Sequence, residues 1–155
     1  NASRHVAGIP GWMEVAKALE TAQIPLPLIY GHNDLLPANF LYANNRVWLI
    51  DFEYSAYSTA MFDLAGLSSN AGFDRHQSLE LLILYFSSNP DAGLIQALEA
   101  MQCASLLREA MWSMVSELFL KAPGVDYAAY TANQLDAYSA RLDDYQSRYG
   151  KIAKS

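Results

Sequence analysis

The sequence has a single cysteine, ten basic residues against sixteen acidic ones, and no apolar run long enough to cross a bilayer. Each scarcity excludes something. One thiol, Cys103, cannot close an internal disulfide, and its apolar, helix-like surroundings mark it as a buried inert thiol rather than a nucleophile. A net charge of −6 argues against nucleic acid or an anionic membrane as a partner and is compatible with a cationic ligand. With no signal-peptide pattern and no membrane-length segment, the expected location is the cytoplasm, without membrane insertion. His5 and His76 have no metal-ligand partner at suitable spacing, and no Ser/His/Asp or Cys/His arrangement stands out. There are no internal repeats and no low-complexity linkers. A chain of 155 residues is still enough for one domain with a real core.

What the chain does have is concentrated in Gly31-His32-Asn33-Asp34-Leu35-Leu36-Pro37-Ala38-Asn39, followed by Val47-Trp48-Leu49-Ile50-Asp51-Phe52-Glu53. Leu28-Ile29-Tyr30 reads as a short strand feeding the loop at Gly31. Phe40-Leu41-Tyr42 and Val47-Trp48-Leu49-Ile50 flank Ala43-Asn44-Asn45-Arg46, and because Asn tolerates positive φ the pair Asn44-Asn45 predicts a tight hairpin turn. The hairpin then carries Asn39 at its entrance and Asp51 at its exit, returning both side chains to one end. An Asp, four residues, an Asn and a second Asp after a hairpin is the spacing of a phosphoryl-transfer catalytic loop. That chemistry needs a carboxylate to orient the acceptor hydroxyl and take its proton. It also needs oxygen ligands for Mg²⁺, a hard cation. The plainer alternative is an Asn/Asp-rich surface loop before an ordinary hairpin.

The segments His32–Tyr42 and Ile50–Tyr57 resemble the choline/ethanolamine kinases, within the wider aminoglycoside-phosphotransferase-like group that shares the protein-kinase-like fold. Where protein kinases have Gly in the second motif this chain has Glu53, a departure shared with choline kinases. The resemblance is strong from Tyr30 to Asp63 and looser from Met101 to Tyr149. It implies Asp34 as catalytic base, Asn39 and Asp51 as Mg²⁺ ligands, and ATP as donor. It also implies that His32 orders the loop and that Asp63 braces it from below; Asp63 reads equally as a helix N-terminal acid meeting the dipole. Glu53 is a secondary candidate, contacting Mg²⁺ through water or accepting a bond from the substrate. The implied fold is α+β: a protein-kinase-like C-terminal lobe, mainly helical, with a small hairpin-bearing sheet.

Around the motifs the periodicity is helical. Gly11 to Gln23 places Trp12, Val15, Ala16, Leu19 and Ala22 on one face, before Ile24-Pro25-Leu26-Pro27 forces an extended connection. Lys17 falls on this helix, and nothing resembles a Gly-rich phosphate loop or a strand-borne Lys. The expectation is therefore one substrate-binding C-terminal lobe over residues 1–155, with a nucleotide-binding N-terminal lobe missing as its partner. After the second motif, a helix beginning near Phe62 closes at Ala71-Gly72. Asp74 caps the next, with Gln77 completing a capping box, and carries Leu79, Leu82, Ile83 and Phe86 inward. Apolar residues from Leu94 to Leu120 predict one bent helix or two in sequence. Asp126 to Tyr149 predicts a last helix, stopped by Gly150.

Aromatic residues are the second informative feature. Tyr138, Tyr145 and Tyr149 recur at helical spacing and read as packing. Trp112 and Tyr127 resemble the positions that wall the quaternary ammonium in choline kinases, where aromatic faces hold a cation that donates no N–H bond; core packing is the open alternative. Tyr54 is a candidate further wall. The family's second Trp, three residues before Trp112, is replaced by Glu109, and its acidic residue on the helix after the second motif falls at Asn70. Glu109 would hold a cation by charge rather than stacking, which leaves ethanolamine or another amino alcohol open beside choline. The functional expectation is transfer of the γ-phosphoryl group of ATP to the hydroxyl of a small cationic alcohol. The alternatives are an aminoglycoside kinase of the same fold and a non-catalytic kinase-like binding domain.

Overall fold

A computed structural model describes residues 3–120 and 122–152. A 3₁₀ turn at Val6–Gly8 leads into α1 (Ile9–Glu20), with Pro10 in the first helical turn where its missing N–H costs nothing. Then come β1 (Leu28–Gly31), a 3₁₀ turn at Pro37–Asn39, β2 (Phe40–Ala43), β3 (Arg46–Leu49) and β4 (Ala56–Thr59). Four helices complete the chain: α2 (Ala60–Asn70), α3 (Arg75–Phe86), α4 (Ala92–Phe119) and α5 (Tyr127–Tyr149). Among the described residues no helix is long and apolar enough to cross a membrane. The mainly helical α+β class expected from the sequence is the one observed.

The chain forms two compact units. One is Gln23–Gln102; the other joins the residues up to Ala22 with those from Cys103 onward. In the first, two separate antiparallel pairs replace the single small sheet expected. β2 pairs with β3 from Phe40↔Leu49 to Ala43↔Arg46, and the turn between them has Asn44 at φ 51° and Asn45 at φ 58°, the double positive φ of a type I′ hairpin. β1 pairs with β4 from Leu28↔Thr59 to Gly31↔Ala56. The strand β4 was not expected. Ala-Tyr-Ser-Thr has no apolar alternation, and its extended form comes from pairing with β1.

α2 is capped by Ala71, with Gly72 following at φ 67°, and α3 opens on the capping box formed by Asp74 and Gln77. The core here is Ala60, Met61, Leu64, Ala65, Leu82, Ala97 and Leu98, with Leu79 and Phe86 packed against it. Ile83, expected inside, is 39% exposed. The inward stripe of α3 runs through Leu79, Leu82 and Phe86 and leaves its neighbour at the edge.

α4 is one continuous helix of 28 residues, which settles the choice between one helix and two. In the second unit Leu19, Cys103, Leu106, Leu107, Ala110 and Met114 are buried, as are Tyr138 and Tyr145 on α5. The packing reading of these two tyrosines and of the thiol holds. Asp126 caps α5 through the N–H of Ala129 at 2.9 Å, and Gly150 follows its last turn at φ 94°.

Candidate active site

β1 ends at Gly31, where the backbone must turn against three polar atoms. A Cβ there would lie 2.5 Å from Ser58 Oγ, 2.9 Å from Asp63 Oδ2 and 3.1 Å from Asn33 Oδ1, so only glycine fits. The next two backbone N–H groups, of His32 and Asn33, donate to Asp63 Oδ2 and Oδ1, each at 2.7 Å. Asp63 lies in the first turn of α2, so this helix end holds the loop through a carboxylate.

His32 is buried and ties the loop to the hairpin. Its Nδ1 lies 3.3 Å from the backbone N–H of Asp34 and its Nε2 lies 2.8 Å from the carbonyl oxygen of Ile50. The first contact needs an acceptor and the second a donor, which assigns the proton to Nε2. Its ring also packs on Phe52 at 4.6 Å between centroids. Ile50 is held from both sides, because its own N–H donates to the Asn39 carbonyl at 3.1 Å. The foot of the hairpin is thereby fastened immediately before Asp51.

Asn39 is buried, and its Nδ2 donates to the Asp34 carbonyl at 2.9 Å and, more weakly, to Asp34 Oδ2 at 3.4 Å. The two ends of the motif are thus bonded directly to each other. With the amide nitrogen turned inward, the atom Asn39 can offer a cation is its oxygen. Asp51 is exposed at φ 64°, a left-handed conformation that Asp tolerates better than most residues. Glu53 and Tyr54 follow on an exposed turn closed by the Ser55 N–H to Phe52 carbonyl bond at 3.1 Å. Among the described residues no three His, Cys, Asp or Glu side chains gather as a metal cage. The residues expected to meet Mg²⁺, Asn39 and Asp51, carry an amide and a carboxylate, both hard oxygen donors of the kind that cation takes.

The remaining candidates belong to the second unit. Trp112 is 47% exposed and meets Tyr127 edge-on at 6.0 Å between centroids. Tyr127 opens α5, and its carbonyl accepts from Ser113 Oγ at 2.8 Å and Thr131 Oγ1 at 2.9 Å. Trp112 also borders an apolar hollow of about 510 Å³ with Met13, Ala16, Leu107, Met111 and Val115. Burial alone therefore does not account for Trp112. Glu109 is buried, with one oxygen bonded to Arg108 and the other 3.4 Å from Tyr130 Oη. Its charge is already engaged inside the unit.

Two residues that sequence reasoning passed over, Asn33 and Ser58, are central to the loop. Ser58 Oγ donates to Asn33 Oδ1 at 2.7 Å, and Asn33 Nδ2 donates to the carbonyls of Tyr54 at 3.0 Å and Ala56 at 3.4 Å. The one local signal was Asn33 itself, a residue suited to the positive φ of 64° it adopts.

Residues 12–82 match a family model described as choline/ethanolamine kinase. A probable ethanolamine kinase of Arabidopsis thaliana is 37% identical over 62 residues, covering 38% of this chain and 17% of that protein. A probable ethanolamine kinase A of Dictyostelium discoideum is 27% identical over 154 residues, covering 86% of this chain and 44% of that protein. Among solved structures, a choline/ethanolamine kinase family protein from Mesorhizobium loti superposes with a TM-score of 0.74 at 26% identity, covering 92% of this chain and 48% of that one. The chain spans less than half the length of each of these relatives.

Proposed function

We propose that this chain, which belongs to the choline/ethanolamine kinase family, supplies the catalytic base and metal ligands of an ATP- and Mg²⁺-dependent phosphotransferase. Its acceptor is the hydroxyl of a small amino alcohol, choline or ethanolamine, and its place of action is the cytoplasm, where ATP is at hand. All 155 residues are assigned to one substrate-binding lobe of that kinase.

The observation that supports this best is the direct bonding of Asn39 to Asp34 within a loop held by Asp63 and by the His32–Ile50 contact. Phosphoryl transfer asks little covalent chemistry of the protein and much positioning, and a doubly anchored loop is how positioning is achieved. Asp34 orients the acceptor hydroxyl and receives its proton. Asn39, through its oxygen, and Asp51 hold Mg²⁺, which when bound neutralises charge developing on the phosphoryl group. Glu53 serves as a secondary contact at the same loop. Tyr54 in the first unit, and Trp112 with Tyr127 in the second, offer aromatic faces suited to an ammonium group. Glu109 is the candidate for holding the cation by charge, with a carboxylate that also meets Arg108 and Tyr130. That engagement weighs against an aminoglycoside, whose several ammonium groups favour open carboxylates.

The test is a coupled phosphoryl-transfer assay of the full-length protein with Mg-ATP and choline, ethanolamine, thiamine or an aminoglycoside. Turnover of one amino alcohol, lowered about 10²–10⁴-fold by Asp34→Asn, is the expected result. Turnover of the aminoglycoside alone moves the acceptor to that class. Failure to bind Mg-nucleotide at millimolar concentration leaves a non-catalytic binding domain.

A further inference from the structure

We propose that Asn33 is a positioning residue that latches Tyr54–Ser58, the segment following Asp51, to the loop that carries Asp34. The β1–β4 ladder orders the segment only from Ala56 onward, at the Gly31↔Ala56 pair. Beyond that pair, towards Asp51, Phe52 packs on the His32 ring, the Ser55 N–H closes a turn on the Phe52 carbonyl, and the Asn33 side chain ties that turn to the loop at Tyr54. Its Nδ2 donates to the Tyr54 carbonyl at 3.0 Å and the Ala56 carbonyl at 3.4 Å, while its Oδ1 accepts from Ser58 Oγ at 2.7 Å. Both N–H protons and the amide oxygen are therefore committed to partners 21 to 25 residues away in sequence.

The latch has a fixed base. The Asn33 backbone N–H is held by Asp63 Oδ1 at 2.7 Å, and the residue sits at a positive φ of 64°. Asparagine is suited to both demands, since it tolerates the left-handed region and carries a donor and an acceptor on one short side chain. Asp34 is the next residue. One side chain thus couples the position of the proposed base to the backbone of Tyr54, whose ring is half-exposed. Its functional consequence rests on the phosphotransferase reading above: releasing the latch loosens acceptor seating and leaves nucleotide contacts alone.

Two substitutions separate a latch from mere tolerance of positive φ. Asn33→Gly accepts the backbone conformation and removes the side chain. Asn33→Asp keeps an acceptor for Ser58 and removes both donors. Hydrogen exchange is followed in the full-length protein at the amides of Tyr54 to Tyr57, with α2 and α3 as internal reference. Both variants are expected to speed exchange in that segment about tenfold, the equivalent of one ordinary hydrogen bond, while the helices keep their protection. The acceptor KM rises about tenfold with the nucleotide KM within about twofold. Unchanged exchange in Asn33→Gly overturns the proposal, as does loss of protection spread evenly over Gln23–Gln102. If the unaltered protein turns over no acceptor, the phosphotransferase reading fails, and the exchange measurement still decides the latch.

Discussion

The two carboxylate oxygens of Asp63 each accept one backbone N–H, from Asn33 at Oδ1 and from His32 at Oδ2, both at 2.7 Å. These are short, charge-assisted bonds, and they reach across some thirty residues of sequence to fix the start of the Asp34 loop. Asp63→Asn replaces one of the two acceptor oxygens with an N–H₂ group facing a backbone donor. It is expected to lower the unfolding free energy by about 1.5–3 kcal/mol. Urea denaturation followed by circular dichroism measures this, and a loss under about 0.5 kcal/mol contradicts the bracing role.

Gly31 is required by crowding rather than by backbone angle. Gly31→Ala drives a methyl group into Ser58 Oγ, at 2.5 Å, and close to Asp63 and Asn33. The expected cost is about 1–3 kcal/mol of overpacking. Ser58→Ala removes the nearest atom, so the double variant should be destabilised by less than the sum of the two single ones. A double-mutant cycle with strictly additive energies would show that the clash is relieved elsewhere.

Much of the loop was legible because its signals are local. Asn44-Asn45 announced a hairpin, Asp74 with Gln77 a capping box, and Asp126 and Gly150 the ends of α5, each through its own backbone preference. Asp34, Asn39 and Asp51 were legible as a spacing. The rest depends on partners distant in sequence. β4 exists because β1 pairs with it, and no alternation within Ala56–Thr59 says so. Asn33 looks like any loop asparagine until Tyr54, Ala56 and Ser58 are brought to it. Helical spacing treats Trp112 and Tyr138 alike, yet one is 47% exposed and the other 4%. Glu109 read as a charge for a ligand, and the fold delivers that charge to Arg108 and Tyr130.

The exposure of Trp112 makes its proposed contribution to binding separable from stability. Its ring borders the apolar hollow and meets Tyr127 edge-on, without being enclosed. Trp112→Ala should raise the amino-alcohol KM by about 3–30-fold, the range of a cation–π contact of about 0.5–2 kcal/mol. Trp112→Phe should recover part of that loss, because a smaller aromatic face remains. Steady-state kinetics with choline and with a neutral alcohol as acceptors check the assignment. Equal effects on both would reduce Trp112 to an apolar support.

Tyr138 makes the second unit sensitive to alkali. Burial of its phenol, and secondarily the neighbouring Cys103 charge, push its pKa from 10.0 up to about 12. The folded state therefore keeps a proton that the unfolded chain has already released. Between these two values the unfolded state binds fewer protons, so stability falls as pH rises. The neutral phenol's contribution is complete below pH 10 and is lost as pH passes about 12, on the order of 2 kcal/mol. Tyr138→Phe has nothing to ionise and should flatten the decline across that window. At pH 7 the same substitution should be neutral or stabilising by about 1 kcal/mol, because the Tyr138 hydroxyl is buried with no hydrogen-bond partner among the described residues. Chemical denaturation at pH 7, 10 and 11.5 gives both numbers. An unchanged slope in the variant would locate the alkaline sensitivity in another group.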